Sequence, residues 1–324
     1  MRRPARLAVV GLGRMGRLHA RNAAGRVASA RLVAVVDALA AVAREVGETY
    51  GVRWATSLEG VLSVDHLDAV VIAAPTPLHA ELVEKAVAAG KHVLCEKPLG
   101  FEVEAARRAV AAATAAGVHV QVGFQRRFDP AWLAMKRAVD RGELGDLELF
   151  HGSHRSPLSS GPGRELGDVF VDVAIHDLDA ARWLGGEVIE VFALAGPEGS
   201  EGPSWVTIML RFENGALGAI DVSRSASFGF ECSAELVGSR AGMRTGGRLS
   251  GDVELLDAGW AHVRLAADHA ERHDEAYRCE LDSFGAVTVG ADPTGATGED
   301  AVAALELALL ARRSAAQHPV PASR

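Results

Sequence analysis

The feature that most constrains the fold of this chain is the run Gly11-Leu12-Gly13-Arg14-Met15-Gly16. It directly follows the apolar stretch Leu7–Val10 and opens a helix-like segment. Three glycines at this spacing mean little alone. Set between a strand and a helix, each has its own reason. Gly11 permits the tight turn, Gly13 lets a pyrophosphate approach the backbone, and Gly16 lets helix and strand pack closely. The helix N-terminus then offers N–H groups to phosphate, with Leu12, Arg14 and Met15 completing the cradle. Asp37 closes the second apolar run, where a carboxylate accepts hydrogen bonds from an adenosine ribose. A 2′-phosphate there would meet that carboxylate, and Ala38-Leu39 supply no arginine to offset it, so NAD is expected rather than NADP. The rival reading is a tight strand–helix turn that binds no nucleotide.

The same rhythm continues to residue 125. The short β-branched runs Leu32–Val36, Ala69–Ala74, His92–Cys95 and His119–Val122 alternate with helical stretches near 15–24, 39–49, 78–89 and 102–116. Unbroken apolar runs of this length fit strands buried on both faces of a parallel sheet. Residues 1–125 are therefore expected to form a doubly wound α/β, NAD-binding Rossmann domain. After Asp129-Pro130 the pattern changes. A helix near 130–141 gives way to strands from Leu147 onward: Glu187–Ala195, Val206–Phe212, Leu217–Ser223, Cys232–Val237 and Val253–Leu256. Asn214-Gly215 reads as a two-residue hairpin turn. One helix near 173–184 interrupts the strands, and helices near 273–288 and 298–315 close the chain. Residues 126–324 are thus expected to form a second, α+β domain, to which the resemblance described below gives substrate binding and assembly. Gly161-Pro162-Gly163 and Asp292–Gly298 read as loops and the last seven residues as a tail.

Charge and composition exclude several functions. The net charge of −8, from 34 basic and 42 acidic residues, argues against nucleic acid as a partner. No apolar run reaches the roughly 18 residues of a membrane span, and Met1-Arg2-Arg3-Pro4-Ala5-Arg6 does not lead into a signal peptide. Cys95, Cys232 and Cys279 have neither disulfide nor zinc spacing. A cytoplasmic protein without a metal is expected.

Lysine is scarce: Lys85, Lys91, Lys97 and Lys136 stand against thirty arginines. A lysine retained in so arginine-biased a chain is a candidate for chemistry that needs an amine able to change protonation state. Lys97 follows the strand His92–Cys95, at the strand end where open α/β sheets bind ligands. An ordinary exposed lysine would sit there equally well. Asp172 and His176, four apart in Asp172-Val173-Ala174-Ile175-His176-Asp177, share one helix face and can meet one substrate. Histidine is the usual base at neutral pH, and a neighbouring carboxylate orients it. Two alternatives are Asp172 as a helix N-cap beside a solvated His176, and a metal pair, for which no third ligand is evident. His66, His262 and His269 read as solvated, and Asp268–Asp274 as an exposed lead-in to a helix. Arg126-Arg127 alone does not make a nucleic-acid site.

Four segments in order, Gly11–Gly16, Ala74-Pro75-Thr76-Pro77-Leu78-His79, Glu96-Lys97-Pro98 and Gly123-Phe124-Gln125-Arg126-Arg127-Phe128-Asp129, resemble the glucose–fructose oxidoreductase/inositol dehydrogenase (Gfo/Idh/MocA) family. Phe170–Leu184, Phe212–Arg224 and Ala276–Glu280 look most like its myo-inositol 2-dehydrogenase branch. The resemblance spans nearly the whole chain. It implies a Rossmann domain followed by an α+β domain with a large open mixed sheet, often used to build homodimers or homotetramers. It implies cofactor contacts from Ala74, Pro75, Thr76, His79, Glu96, Lys97 and Gln125, and catalysis by Lys97, Asp172 and His176. Arg127, Arg155 and Phe230 match positions near the polyol.

The departures concern substrate. Ser156 stands where the branch has aspartate, Val173 where it has threonine, and Phe228 and Phe230 where tyrosines are usual; the segment from Pro157 to Asp168 is shortened. Each change removes a polar partner for a ring hydroxyl. The expected activity is NAD-dependent oxidation of a secondary alcohol on a cyclitol or sugar, substrate lying between the nicotinamide and the helix that starts at Asp172. A modified aminocyclitol or sugar of natural-product metabolism fits the departures. NAD-dependent glycoside cleavage through transient oxidation and a non-catalytic NAD-sensing regulator are the alternatives.

Overall fold

The computed structural model describes residues 3–157, 168–196, 198–199, 202–245 and 268–318. The expected strand Val253–Leu256, His262, the loop 161–163 and most of the shortened segment lie outside the described residues. The chain divides into two compact units, Met1–Asp129 with Glu275–Ala303, and Pro130–Asp274 with Ala304–Arg324.

The first unit runs β1 (Ala5–Val10), α1 (Arg14–Ala23), β2 (Ala30–Val36), α2 (Ala40–Tyr50), β3 (Arg53–Ala55), α3 (Glu59–Leu62), β4 (Ala69–Ile72), α4 (His79–Ala88), β5 (His92–Cys95), α5 (Val103–Ala116) and β6 (Val120–Val122). Six strands are parallel in the order β6-β5-β4-β1-β2-β3. The order reverses beside β1, and such a switch point opens a crevice at the strands' C-terminal ends. Every residue of β4 is buried, as its uninterrupted apolar run requires. The short β3 and α3 carry too little periodicity to be seen in the sequence.

Two elements near the C-terminus return to this unit. α9 (Asp274–Thr288) places Leu281 and Phe284, both fully buried, in the core with Leu7, Val9, Leu32 and Leu94. The stretch expected as a plain loop over Asp292–Gly298 holds β15 (Ala296–Thr297), antiparallel to β6. A single cut after residue 125 therefore misses a segment that the first core needs.

The second unit contains α6 (Pro130–Asp140), β7 (Leu147–Arg155), α7 (Ile175–Gly185), β8 (Val188–Ala195), the small hairpin β9 (Glu198–Gly199) and β10 (Gly202–Pro203), β11 (Trp205–Phe212), β12 (Leu217–Ser223), β13 (Glu231–Gly238), β14 (Gly242–Thr245) and α8 (His269–Arg272). A mixed six-stranded sheet has the order β14-β13-β7-β12-β11-β8, with only β7 and β12 parallel. Alternation along β11 buries Val206, Ile208, Leu210 and Phe212 and turns Trp205 and Met209 outward. α10 (Gly298–Gln317) begins in the first unit and ends in the second. No helix among the described residues is long and apolar enough to cross a membrane.

The turn at Asn214-Gly215 is a hairpin, one residue longer than expected. The Phe212 and Gly215 N–H groups donate to Ala216 O and Phe212 O, so residues 213–215 make the loop. Only Gly215 has positive φ, at 88°, whereas a two-residue turn of the expected type needs two such residues. Asn214 Oδ1 instead accepts from the Ala216 N–H at 3.0 Å.

Candidate active site

In the first unit the glycine run behaves as its spacing requires. Gly11 has φ +85°, and a Cβ there would lie 2.5 Å from the Ala74 N. A Cβ on Gly16 would overlap the Gly11 carbonyl oxygen, so only glycine lets α1 meet this turn. Around Gly13 a Cβ would meet nothing within 4 Å, and no side chain caps α1. Open space before an uncapped helix N-terminus fits a pyrophosphate. Leu12 is buried, while Arg14 and Met15 lie toward solvent. The Asp37 carboxylate accepts from the Leu12 N–H at 2.8 Å and the Leu39 N–H at 2.9 Å. It thereby ties the glycine turn to the end of β2, with lone pairs left for ribose hydroxyls.

The other expected cofactor residues separate into two groups. Ala74, Pro75 and Thr76 lie partly or fully exposed after β4. The buried Gln125 Oε1 has no hydrogen-bond partner among the described residues. His79 and Glu96 instead face inward. His79 Nδ1 lies 2.7 Å from Pro98 O and Nε2 2.7 Å from Ala74 O. Burial lowers its pKa, and a neutral ring donates to one carbonyl at a time, so His79 staples two loops rather than presenting itself to a ligand. Glu96 turns its carboxylate to His19, Oε1 to Nε2 2.8 Å, while half-buried Lys97 follows at the end of β5. Arg127 is buried, with Nη1 3.0 Å from Asp300 Oδ2. That ion pair gives it an architectural task inside this unit.

In the second unit Asp172 and His176 flank the start of α7. Phe170–Ala174 forms a single π-turn, a feature frequent at functional sites. The capping role considered for Asp172 falls to Asp168, whose Oδ1 accepts from the Phe170 N–H at 2.9 Å. His176 is buried, 8% exposed, and its ring lies 6.5 Å from that of His154. His154 Nδ1 is 3.1 Å from Oδ2 of the fully buried Asp177. Phe230 joins this group, its ring 5.3 Å from His154, 6.3 Å from His269 and 6.0 Å from His273.

Arg155 does not. Successive residues of a strand point to opposite faces, and β7 turns His154 toward Asp177 and Arg155 away. The Arg155 guanidinium pairs with Asp221 Oδ1, donates to Asp221 O at 2.8 Å and lies 4.8 Å above the Trp205 ring. The inward residue of the two, His154, was not singled out from the sequence. The alternation buried Phe150, Gly152, His154 was the available signal. The segment Asp268–Asp274 also departs from an exposed lead-in: it holds α8, His269 is half-buried and His273 is only 1% exposed. Among the described residues no group of three or more His, Cys, Asp or Glu side chains could hold a metal.

Comparison with known proteins adds a family. Residues 5–124 match the pattern of an oxidoreductase family with an NAD-binding Rossmann fold, and residues 132–244 match the GFO/IDH/MocA C-terminal domain. The chain is 35% identical to an inositol 2-dehydrogenase of Rhizobium meliloti, over 96% of this chain and 97% of the relative. It superposes on scyllo-inositol dehydrogenase from Lactobacillus casei, solved with NAD(H) and scyllo-inositol, with TM-score 0.88 and 25% identity over 97% and 98% of the two chains. GenD2 from gentamicin A biosynthesis, solved with NAD, gives TM-score 0.82 and 26% identity over 98% and 95%.

Proposed function

The chain belongs to the GFO/IDH/MocA family of NAD-binding oxidoreductases, and from that premise we propose that it oxidises a secondary ring alcohol on a cyclitol or sugar carrying a substituent that free myo-inositol lacks. The observation that carries the reading is the π-turn Phe170–Ala174, which contains Asp172 and runs directly into α7, where His176 is the second residue. His176 takes the hydroxyl proton. Asp172 orients the ring and offsets the imidazolium charge. Lys97 steadies the oxygen as negative charge develops on it. Asp37, the Gly13 backbone and the first turn of α1 hold the dinucleotide, which supplies the hydride acceptor when bound.

The substituted substrate is supported by Val173 and Phe230, buried apolar groups where the inositol branch carries hydroxyls. Each lost hydrogen-bond partner leaves a ring hydroxyl desolvated at about 1–3 kcal/mol. The likeness to an enzyme of gentamicin A biosynthesis points the same way. The test follows NADH absorbance over a panel of myo-inositol, scyllo-inositol, amino-, deoxy- and glycosyl-cyclitols and free sugars. A substituted analogue is expected to exceed myo-inositol in kcat/KM by about a hundredfold, two such losses. Myo-inositol at the head of the panel would overturn the substrate assignment.

We further infer a homo-oligomer. The outward sheet face carries Phe192, Leu194, Trp205, Met209 and Leu217, with Met209 55% exposed, an apolar patch of the kind that marks an interface. Met209→Glu should lower the mass found by sedimentation; a wild-type monomer would refute this.

A further inference from the structure

The first unit buries a set of titratable groups that the reaction above does not use. His19 sits on α1, three residues past Gly16, and is 1% exposed. Its Nε2 is 2.8 Å from Glu96 Oε1. The Glu96 carboxylate is confined on another side by Gly123, where an added Cβ would lie 3.1 Å from Oε2. The Glu96 N–H donates to Ile72 O at 2.8 Å, fixing the backbone as well. Glu96 and Lys97 are adjacent, so a fixed inward Glu96 fixes the point from which Lys97 leaves the chain.

The charges around Glu96 come from four elements: His19 on α1, His79 on α4, Tyr277 and Glu280 on α9, and Lys97 beside it. Burial pushes the Glu96 pKa up. The His19 hydrogen bond and charge, with Lys97 and His79, outweigh burial and hold it below the ordinary range. Glu280 is fully buried, and neither carboxyl oxygen has a partner among the described residues. Burial, then the Glu96 charge, raises it well above the usual range. Of two buried carboxyls one is ionised and one neutral, a division found where charge has been placed for a purpose. Tyr277 closes the group, its ring edge-on to His19 at 6.2 Å.

We propose that His19 is a positioning residue for Lys97 and acts through Glu96. His19 holds the Glu96 carboxylate in one orientation, and the backbone fixed beside it sets where the Lys97 side chain leaves toward the substrate. The proposal rests on the reading that Lys97 serves the reaction.

A substrate-free experiment tests it, because only four lysines occur in the chain. The protein is labelled briefly with trinitrobenzenesulfonate at pH 8, and each lysine is quantified by peptide mass spectrometry. In Glu96→Gln and in His19→Leu, the Lys97 labelling rate should change by at least about threefold, since each weakens the charge-assisted hydrogen bond that fixes the neighbouring residue. Lys85, Lys91 and Lys136 serve as internal standards and should stay within about twofold. The double variant should match Glu96→Gln alone, because both changes act on one carboxylate. Glu280→Gln should leave Lys97 unchanged. Glu96→Gln is isosteric and reports even if His19→Leu folds poorly. An unchanged Lys97 rate in Glu96→Gln, or multiplying effects in the double variant, overturns the proposal. Lys97→Met is assayed separately for turnover on the best substrate of the panel. Full activity there refutes the role of Lys97; lost activity beside unchanged labelling refutes only His19 and Glu96.

Discussion

Replacing Asp37 by alanine removes two things at once, and the structure separates their sizes. The carboxylate accepts the Leu12 and Leu39 N–H groups at 2.8 and 2.9 Å. Leu12 is 2% exposed, so its orphaned N–H costs about 1–3 kcal/mol of stability. Its remaining lone pairs are the ones that would bind the ribose. A hydrogen bond to a charged group contributes about 1.5–3 kcal/mol, which weakens NAD by about tenfold to a hundredfold when lost. The same change removes the repulsion that a 2′-phosphate would meet. Steady-state kinetics with NAD and NADP at fixed substrate should therefore show wild-type preference for NAD, and a preference narrowed by about two orders of magnitude in Asp37→Ala. Asp37→Asn keeps the shape, but its NH2 would face one of the two backbone donors. It should lower the melting temperature while relaxing cofactor choice less. Equal kcat/KM with both cofactors in the wild type would sink the argument. So would an Asp37→Ala variant that melts earlier yet keeps the wild-type preference, since Asp37 would then only brace the turn.

Three further outcomes are expected. Lys97→Ala and His176→Ala should each lower kcat by roughly a hundredfold or more, with NAD affinity, read by fluorescence titration, little changed in His176→Ala; near-normal turnover there would show that another group is the base. Glu280 is neutral when folded and ionised when unfolded, so its contribution is whole below the unfolded carboxyl range and is lost as pH rises toward the raised folded value. Glu280→Gln should accordingly raise the melting temperature more at pH 8 than at pH 5, and an equal gain at both would refute a raised pKa. Phe284→Ala, emptying a fully buried site on α9, should cost about 3–5 kcal/mol in urea denaturation; a cost under 1 kcal/mol would deny α9 its place in the first core.

Much of the first unit was legible because its signals are local. Buried parallel strands are continuous apolar runs, and the glycine turn is specified within six residues. The return of α9 was not legible, since nothing in Leu281 or Phe284 says which of two cores receives them. The same limit acts in the site. Lys97, Asp172 and His176 can be singled out from position, helix spacing and the family resemblance, whereas His19 and Glu96 are 77 residues apart and meet only in the folded chain. Arg155 came from the family resemblance alone, whereas strand parity decides which face a residue takes and puts His154 on the inner one.

That exchange alters what the second unit offers a substrate. With Arg155 paired to Asp221 on the outward face, its guanidinium is not available to the group around His176. The inner group consists of His154, anchored on Asp177, then His176, Phe230, half-buried His269 and buried His273. An imidazole can donate or accept according to its tautomer, whereas an arginine only donates. Phe230 removes polarity at the centre of the group and leaves a flat apolar face. Such a wall suits a ring whose substituents mix donors, acceptors and apolar surface better than one bearing a hydroxyl at every carbon. The apolar groups at Val173 and Phe230, with the Arg155 guanidinium on the other side of the sheet, are the features that support the substituted ring proposed above.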